Sequence, residues 1–243
     1  MEFPIGIAAN VAAVIAGGLL GSVLKKVLPQ KVVEMLYMSF GFCALAIGVV
    51  SVVKLSSLTV VILSVLFGGV IGELCRIDDG VQKLIGWTMS KFEREDDDED
   101  TQKKMDLLSL SMALLCFSGT GLFGALSEGL DADHSILLAK AVLDLFTIMV
   151  IATGTGWIVT LFSIPQIVIF TGFFLLAHWV SPALSAEAIA NFKATGGILT
   201  FMVGYNMLAG QVGLKKIRVL NAVPALFLSV GFSWLVSLLP FAI

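Results

Sequence analysis

The chain is divided into apolar runs of about twenty residues each, the length an α-helix needs to cross the hydrocarbon core of a bilayer. They cover Phe3 to Val23, Val32 to Val53, Leu55 to Cys75, Leu107 to Leu126, Ser135 to Ala152, Trp157 to Val180, Ala194 to Gly213 and Val219 to Ile243. Only 14% of the residues are charged, against about 25% in a soluble domain. With 58% hydrophobic residues and a mean hydropathy of +0.99, the chain has more apolar surface than one core could hide from water. In lipid, every backbone N–H and C=O needs a partner within the structure, so spans are helices or closed barrels. A barrel reads as short alternating strands of about ten residues, and these runs are continuous. The fold expected is therefore all-α, a polytopic integral membrane bundle of about eight transmembrane helices.

Three regions follow from the distribution of charge. Residues 1–76 form an N-terminal segment of three membrane helices, and residues 107–243 a C-terminal segment of five, the two making one membrane domain. Between them, residues 77–106 are polar and contain Glu93-Arg94-Glu95-Asp96-Asp97-Asp98-Glu99-Asp100. A block of like charges cannot bury itself and reads as a solvated, mobile loop. Within it, Val81 to Phe92 reads as a short interfacial helix carrying Leu84, Ile85, Trp87 and Met89. Ser181 to Lys193 reads as an amphipathic connector, and Pro165 as a kink in the sixth run. No basic residue precedes the first apolar run, so that run is expected to be a retained span.

Lysine and arginine orient the bundle. If the N-terminus is outside and the spans alternate, the inside loops hold Lys25, Lys26, Lys31, Arg76, Lys83, Lys91, Arg94, Lys103, Lys104, Lys215, Lys216 and Arg218, twelve of the fifteen. The outside holds Lys54 and Lys193, and Lys140 lies within a span. This is the positive-inside bias of an inner (plasma) membrane protein with a cytoplasmic acidic loop.

Two glycine pairs share a spacing of seven residues: Gly41 and Gly48 in the second run, Gly197 and Gly204 in the seventh. Runs an odd number apart cross in opposite directions, so the match reads either as an inverted repeat of the kind found in secondary transporters or as an ordinary helix-packing stripe.

Charged and broken positions inside the spans are the candidate site. Lys140 and Asp144 lie four residues apart, on one helical face, where they can pair. A charge at that depth costs on the order of 3 kcal/mol on insertion scales, so a buried pair reads as a substrate, ion or proton site, or as a packing device. Ser118-Gly119-Thr120-Gly121 interrupts the fourth run, and unwound backbone at that depth can offer carbonyl oxygens and helix N-termini to ions. Asn10 and Asn206 are placed at a depth similar to Asp144, as supporting ligands or as interhelical glue; Asn221 reads as glue. Thr153-Gly154-Thr155-Gly156 reads as a turn or as a second broken segment. His134 and His178 form no metal cluster, and Cys43, Cys75 and Cys116 read as free buried thiols, so no metal and no cofactor are expected.

The stretch Cys116 to Leu130, with Gly119, Gly124, Glu128 and Gly129, followed by Leu138-Ala139-Lys140-Ala141-Val142-Leu143-Asp144, resembles the central block of a prokaryotic membrane family of the YqgA/YdfK type, a domain of unknown function. Gly196-Gly197-Ile198-Leu199, Gly204-Tyr205-Asn206-Met207-Leu208 and Lys216 to Leu226 are similar to its C-terminal block. The resemblance implies a multi-spanning membrane protein and a transporter, and supplies no substrate.

The function expected is gradient-driven transport or conduction of a small ion or polar solute, since no nucleotide-binding loop is present. Partners are then the bilayer, the solute and further copies of the chain, with no nucleic acid. A scaffold or sensor that recruits a partner through the acidic loop is the alternative class. An intramembrane enzyme would need a nucleophile with a base, yet no histidine lies mid-span and no metal-ligand cluster exists. The orientation has a direct test: with the native cysteines removed, a cysteine at position 134 should label from outside whole cells and one at position 97 should not. The reverse pattern would overturn it.

Overall fold

The computed structural model describes residues 3–24, 29–92, 99–180, 185–209 and 213–238. Among these residues ten α-helices follow one another: α1 (Ile5–Leu24), α2 (Gln30–Val52), α3 (Leu58–Cys75), α4 (Ile77–Phe92), α5 (Glu99–Phe117), α6 (Gly119–Asp131), α7 (Ser135–Thr155), α8 (Ser163–Val180), α9 (Ala186–Ala209) and α10 (Pro224–Ser237). Short 3-10 segments, Gly156–Phe162 and Val219–Ala222, precede α8 and α10. No strand occurs among the described residues. Among the described residues five stretches are long and apolar enough to cross a membrane: Ile5–Leu24, Glu34–Val52, Leu58–Cys75, Ser135–Ala177 and Val219–Ser237.

The fourth of these is 43 residues long and folds back on itself. α7 ends where Gly156 takes φ 73°, a left-handed conformation open to glycine. α6 shows the reversal. Gly121 and Gly124 of α6 face Lys140 and Leu137 of α7, running opposite to it, whereas Gly121 and Gly129 face Phe170 and Phe174 of α8, running alongside it. The Thr153 to Gly156 break is thus a turn between two antiparallel helices.

Glycines set the closest helix contacts, because without a Cβ two backbones can approach within van der Waals distance. Along α1, Gly6, Gly17 and Gly21 meet Leu137, Leu145 and Met149 of α7, so these two helices run parallel. α2 runs antiparallel to α9, with Gly41 against Gly204 and Gly48 against Gly197. The four glycines noted for their spacing are therefore one seam. α3 runs antiparallel to α10, with Gly68 against Ala225 and Gly72 against the Asn221 carbonyl that precedes it.

Polar side chains fasten the helix ends. The Glu128 carboxylate accepts from the Gly6 N–H at 2.5 Å and the Ile7 N–H at 3.1 Å, two of the orphan donors that open α1, and bonds His134 at 2.5 Å. Asn191 Oδ1 accepts from the Ser56 and Ser57 N–H groups, and its amide donates to Ser233, tying the α2–α3 turn to α9 and α10. Asn221 donates to Glu73 and accepts from the Asp78 N–H, holding α4 against the end of α3.

Large apolar side chains face outward, among them Phe3 (71% exposed), Val53 (78%) and Leu74 (79%). Together with Leu19, Val23, Phe42, Leu66 and Phe67 they give α1 to α3 an apolar outer face, which suits a hydrocarbon surround and not water.

Several expectations change. Much of the segment expected as an acidic loop is helical: α4 fills Ile77–Phe92 and α5 already begins at Glu99, while residues 93–98 lie outside the described residues. α4 starts earlier than its apolar residues suggest because Asp78 and Asp79 favour a helix N-terminus. Asp78 is buried beneath Gln82 and Ser109, and that burial pushes its carboxyl above the ordinary range. Pro165 falls in the first turn of α8, where a proline forfeits no α-helical bond, and the sixth run changes just before it from the 3-10 segment Gly156–Phe162 to α-helix. Part of the expected Ser181 to Lys193 connector belongs to α9, from Ala186 onward. Cys43 and Cys75 are exposed on the helix exterior, and only Cys116 is buried.

A methyl group at Gly21 would collide with the Met149 carbonyl, whereas one at Gly172 meets nothing within 4 Å. Gly21→Ala should therefore destabilise the protein by about 1–3 kcal/mol, and Gly172→Ala should be neutral or slightly stabilising through helix propensity. Thermal unfolding in detergent separates the two, and equal midpoints would contradict the close approach of α1 to α7 at Gly21.

A buried ion pair at a broken helix

The fourth apolar run breaks at Ser118, the residue type expected there. Ser118 leaves the helix at φ −68°, ψ 136°, and its hydroxyl caps α6 by accepting from the Gly121 N–H at 3.2 Å. The break strands the last carbonyls of α5, which lose their partners four residues on. Two side chains from other helices reach them. Lys140 Nζ lies 3.3 Å from the Leu114 oxygen, and Gln166 Nε2 lies 3.4 Å from the Leu115 oxygen. A cation at a helix C-terminus also complements its dipole.

Lys140 is at the same time paired with Asp144, one turn along α7. Its ammonium is 2.9 Å from Oδ1 and 2.8 Å from Oδ2, and the side chains are 5% and 4% exposed. Asn10 of α1 donates to Asp144 Oδ2 at 2.9 Å, and Gln166 of α8 donates to Asn10 Oδ1 at 2.6 Å. Four side chains from α1, α7 and α8 thus form one chain of bonds ending on α5. Their orientations follow from the carboxylate. An ionised Asp144 only accepts, so Asn10 must turn its NH₂ toward it, and Gln166 must turn its own NH₂ toward Asn10. The Gln166 Oε1 atom is left buried without a hydrogen-bond partner.

A cavity of about 390 Å³ opens beside the pair. Lys140, Asp144, Ser118, Thr147 and Thr200 are among the residues of its wall, with Phe40, Ala44, Ile47, Leu143 and Met207, and the surface that they present is largely apolar. A solute there would meet an ion pair on one side and hydrocarbon elsewhere. In such surroundings a group that competes for either partner meets an interaction strengthened by the low dielectric.

Of the candidate residues, the structure brings together Lys140, Asp144, Asn10, Ser118 and Gly121, whose α-carbon faces the Lys140 Cε. Gly119 opens α6, and the side chain of Thr120 lies outside the described residues. Asn206 makes its bonds elsewhere. It sits one turn from the end of α9 and clasps Ile217, donating to its carbonyl at 2.6 Å and accepting from its N–H at 2.8 Å. Gln166 escaped the sequence reading, although an amide directly after Pro165 in an apolar run is a signal of the same kind as Asn10.

Removing Asn10 takes a donor from Asp144 and an acceptor from Gln166. Asn10→Leu should cost about 1–3 kcal/mol, the range for stranding buried polar groups. Asn10→Leu with Gln166→Leu should cost less than the sum of the single changes, because the bond between them is counted twice. Chemical unfolding of the four proteins tests the coupling, and strict additivity would disprove it.

The chain is 34% identical over 224 residues to the "Uncharacterized protein YqgA" of Escherichia coli (strain K12), covering 92% of this chain and 94% of that protein. It is 26% identical over 228 residues to the "Uncharacterized membrane protein YdfK" of Bacillus subtilis (strain 168), covering 90% and 91%. No solved structure matches it. The family model described as "Protein of unknown function (DUF554)" matches residues 5–234, and the chain belongs to that family.

Proposed function

We propose that this protein is a carrier or channel of the inner membrane for a small ion or polar solute, driven by an ion gradient, with Lys140 and Asp144 at its centre. The observation that carries the reading is the ion pair itself, almost wholly buried in mid-helix and forming part of the wall of a cavity of about 390 Å³. A pair that served packing alone has no need of an adjoining space, and well-packed apolar residues of similar volume often match or exceed a buried pair in stability.

An arrangement of eight spans with an outside N-terminus fits the helix directions. α1 and α7 run parallel, as do α6 and α8, while α2 opposes α9 and α3 opposes α10. Asp133 and Lys54 both lie close enough to Lys193 to act on it, which supports one end of the bundle for all three. Arg218 pairs with Glu73 and Asp79, which supports the other end for the basic segment. An inverted repeat is supported by the seam between α2 and α9: exchanging the two helices turns the Gly41–Gly204 contact into the Gly197–Gly48 contact.

The test separates site from scaffold. Asp144→Asn should insert and fold yet reduce flux in proteoliposomes to background, because Lys140 loses its counter-charge. Lys140→Met with Asp144→Leu removes both charges and should be close to neutral for stability. If that double variant transports normally, the pair is structural and the proposal fails.

A further inference from the structure

The cavity beside the Lys140–Asp144 pair has room for something larger than a bare ion. Its volume of about 390 Å³ is an order of magnitude above a water molecule's share of the liquid, about 30 Å³, and falls in the range of organic-ligand pockets. α2 supplies Phe40, Ala44 and Ile47 to the wall and α9 supplies Met207, so apolar surface dominates it. An inorganic ion would give up its hydration shell there for very few oxygens. A solute with an apolar body suits the wall, and its polar end falls to the pair.

The pair also decides the charge of that end. Lys140 and Asp144 neutralise each other, so a charged solute has to displace one of them and still leave no charge unanswered. The two partners are held unequally. The Lys140 ammonium is engaged by the Asp144 carboxylate at 2.8 and 2.9 Å and by the Leu114 carbonyl at the end of α5, 3.3 Å away. Discharging it would weaken both contacts. The Asp144 charge is engaged only by Lys140 and the Asn10 amide. Behind it stand the amide oxygens of Asn10 and Gln166, and Gln166 Oε1 has no hydrogen-bond partner, so a proton placed on Asp144 finds acceptors. Among the described residues, the other ionisable groups near Asp144 are the Cys116 thiol of α5 and the Cys43 thiol of α2 on the cavity wall. α1 and α8 present amides, and α9 presents the Thr200 hydroxyl and the Met207 thioether. None of these is a second cation, so Lys140 is the group that an anion would meet.

We propose that the cavity takes an organic monoanion, a carboxylate on an apolar body, together with one proton; the proposal rests on the reading of the Lys140–Asp144 pair as a solute site. The proton comes from water and forms the O–H bond of Asp144. The solute carboxylate takes the place of Asp144 on Lys140, and the site is neutral before and after. An organic cation would instead have to discharge Lys140 at the expense of the α5 end. A zwitterion would bring two charges out of water, and the wall answers them only with two groups that already answer each other.

Equilibrium dialysis of the full chain in detergent tests it, with labelled hexanoate, hexylammonium, leucine and acetate as probes. Lys140→Met with Asp144→Leu supplies the background for partition into the micelle. At about pH 6 hexanoate should bind roughly tenfold or more tightly than the other three. Its affinity should fall about tenfold for each unit that the pH rises toward about 8, because one proton enters with each anion. Asp144→Asn, neutral without a proton, should bind hexanoate at about pH 8 more tightly than the native chain does, and Lys140→Met should not bind it above background. Tighter binding of hexylammonium or leucine, acetate binding equal to that of hexanoate, or an affinity unchanged across this pH range each overturns the proposal. If a single variant unfolds, as thermal unfolding would reveal, the native chain and the four probes still decide the outcome. Binding is read without flux. A protein that binds hexanoate as stated yet carries no solute in proteoliposomes would defeat the transport reading alone, and a native chain that transports but does not bind hexanoate would defeat this one alone.

Discussion

Lys140 answers two demands that an apolar surround makes unavoidable. Asp144 cannot stay ionised there without a partner, and the carbonyls stranded where α5 breaks cannot stay unbonded. One ammonium, with its three donors, meets both. The break at Ser118 and the charge on α7 are therefore parts of a single arrangement. Removing one partner from a buried pair costs about 3–5 kcal/mol, and here it would also expose the end of a helix. Around this point α1, α5, α6, α7 and α8 hold fixed positions, because each gives it a side chain, a carbonyl or a glycine that lets the others close.

Helix lengths and apolar character were legible in the sequence because a bilayer admits so few backbone solutions. The eight runs correspond to helical segments, with the fourth built from α5 and α6. What the runs could not convey is how helices end. α4 extends back to Ile77 through acidic residues that composition assigns to a loop, and α9 takes in residues from Ala186 that looked like a connector. Pro165 carries a general expectation of kinking that depends wholly on where the helix starts. The turn at Gly156 was ambiguous in sequence because no charge marks its side of the membrane. Only the partners of α6 on either flank resolve it.

The site was legible where chemistry is costly and obscure where it is cheap. Lys140 and Asp144 stand out because ionised groups are rare inside spans, and Ser118 because glycine and hydroxyl residues weaken a helix. Asn10 and Asn206 looked equivalent as lone amides in apolar runs, yet one reaches Asp144 and the other fastens a loop. An amide side chain has no long-range field that would declare its partner. The choice is made by which helix packs alongside, and pairing between distant runs is not written in local spacing. Gln166 belongs with Asn10 for the same reason, and Glu128 acquires its role only when α1 brings Gly6 and Ile7 to it.

The amide of Gln166 is the far end of a line whose direction is set by a single proton. With Asp144 ionised, Asn10 and Gln166 both point their NH₂ groups along the line, and the last oxygen has nothing to accept. A neutral Asp144 could donate instead. Each amide would then be free to turn half a revolution about its terminal bond, so that Asn10 donates to Gln166 and the vacant acceptor is filled. The two bonds that join Asp144, Asn10 and Gln166 are kept with their directions reversed, at the expense of the Gln166 contact with the Leu115 oxygen, and no helix has to move. Protonation at one residue is thus legible as amide polarity on two other helices, which makes α1 and α8 readers of the charge carried by α7.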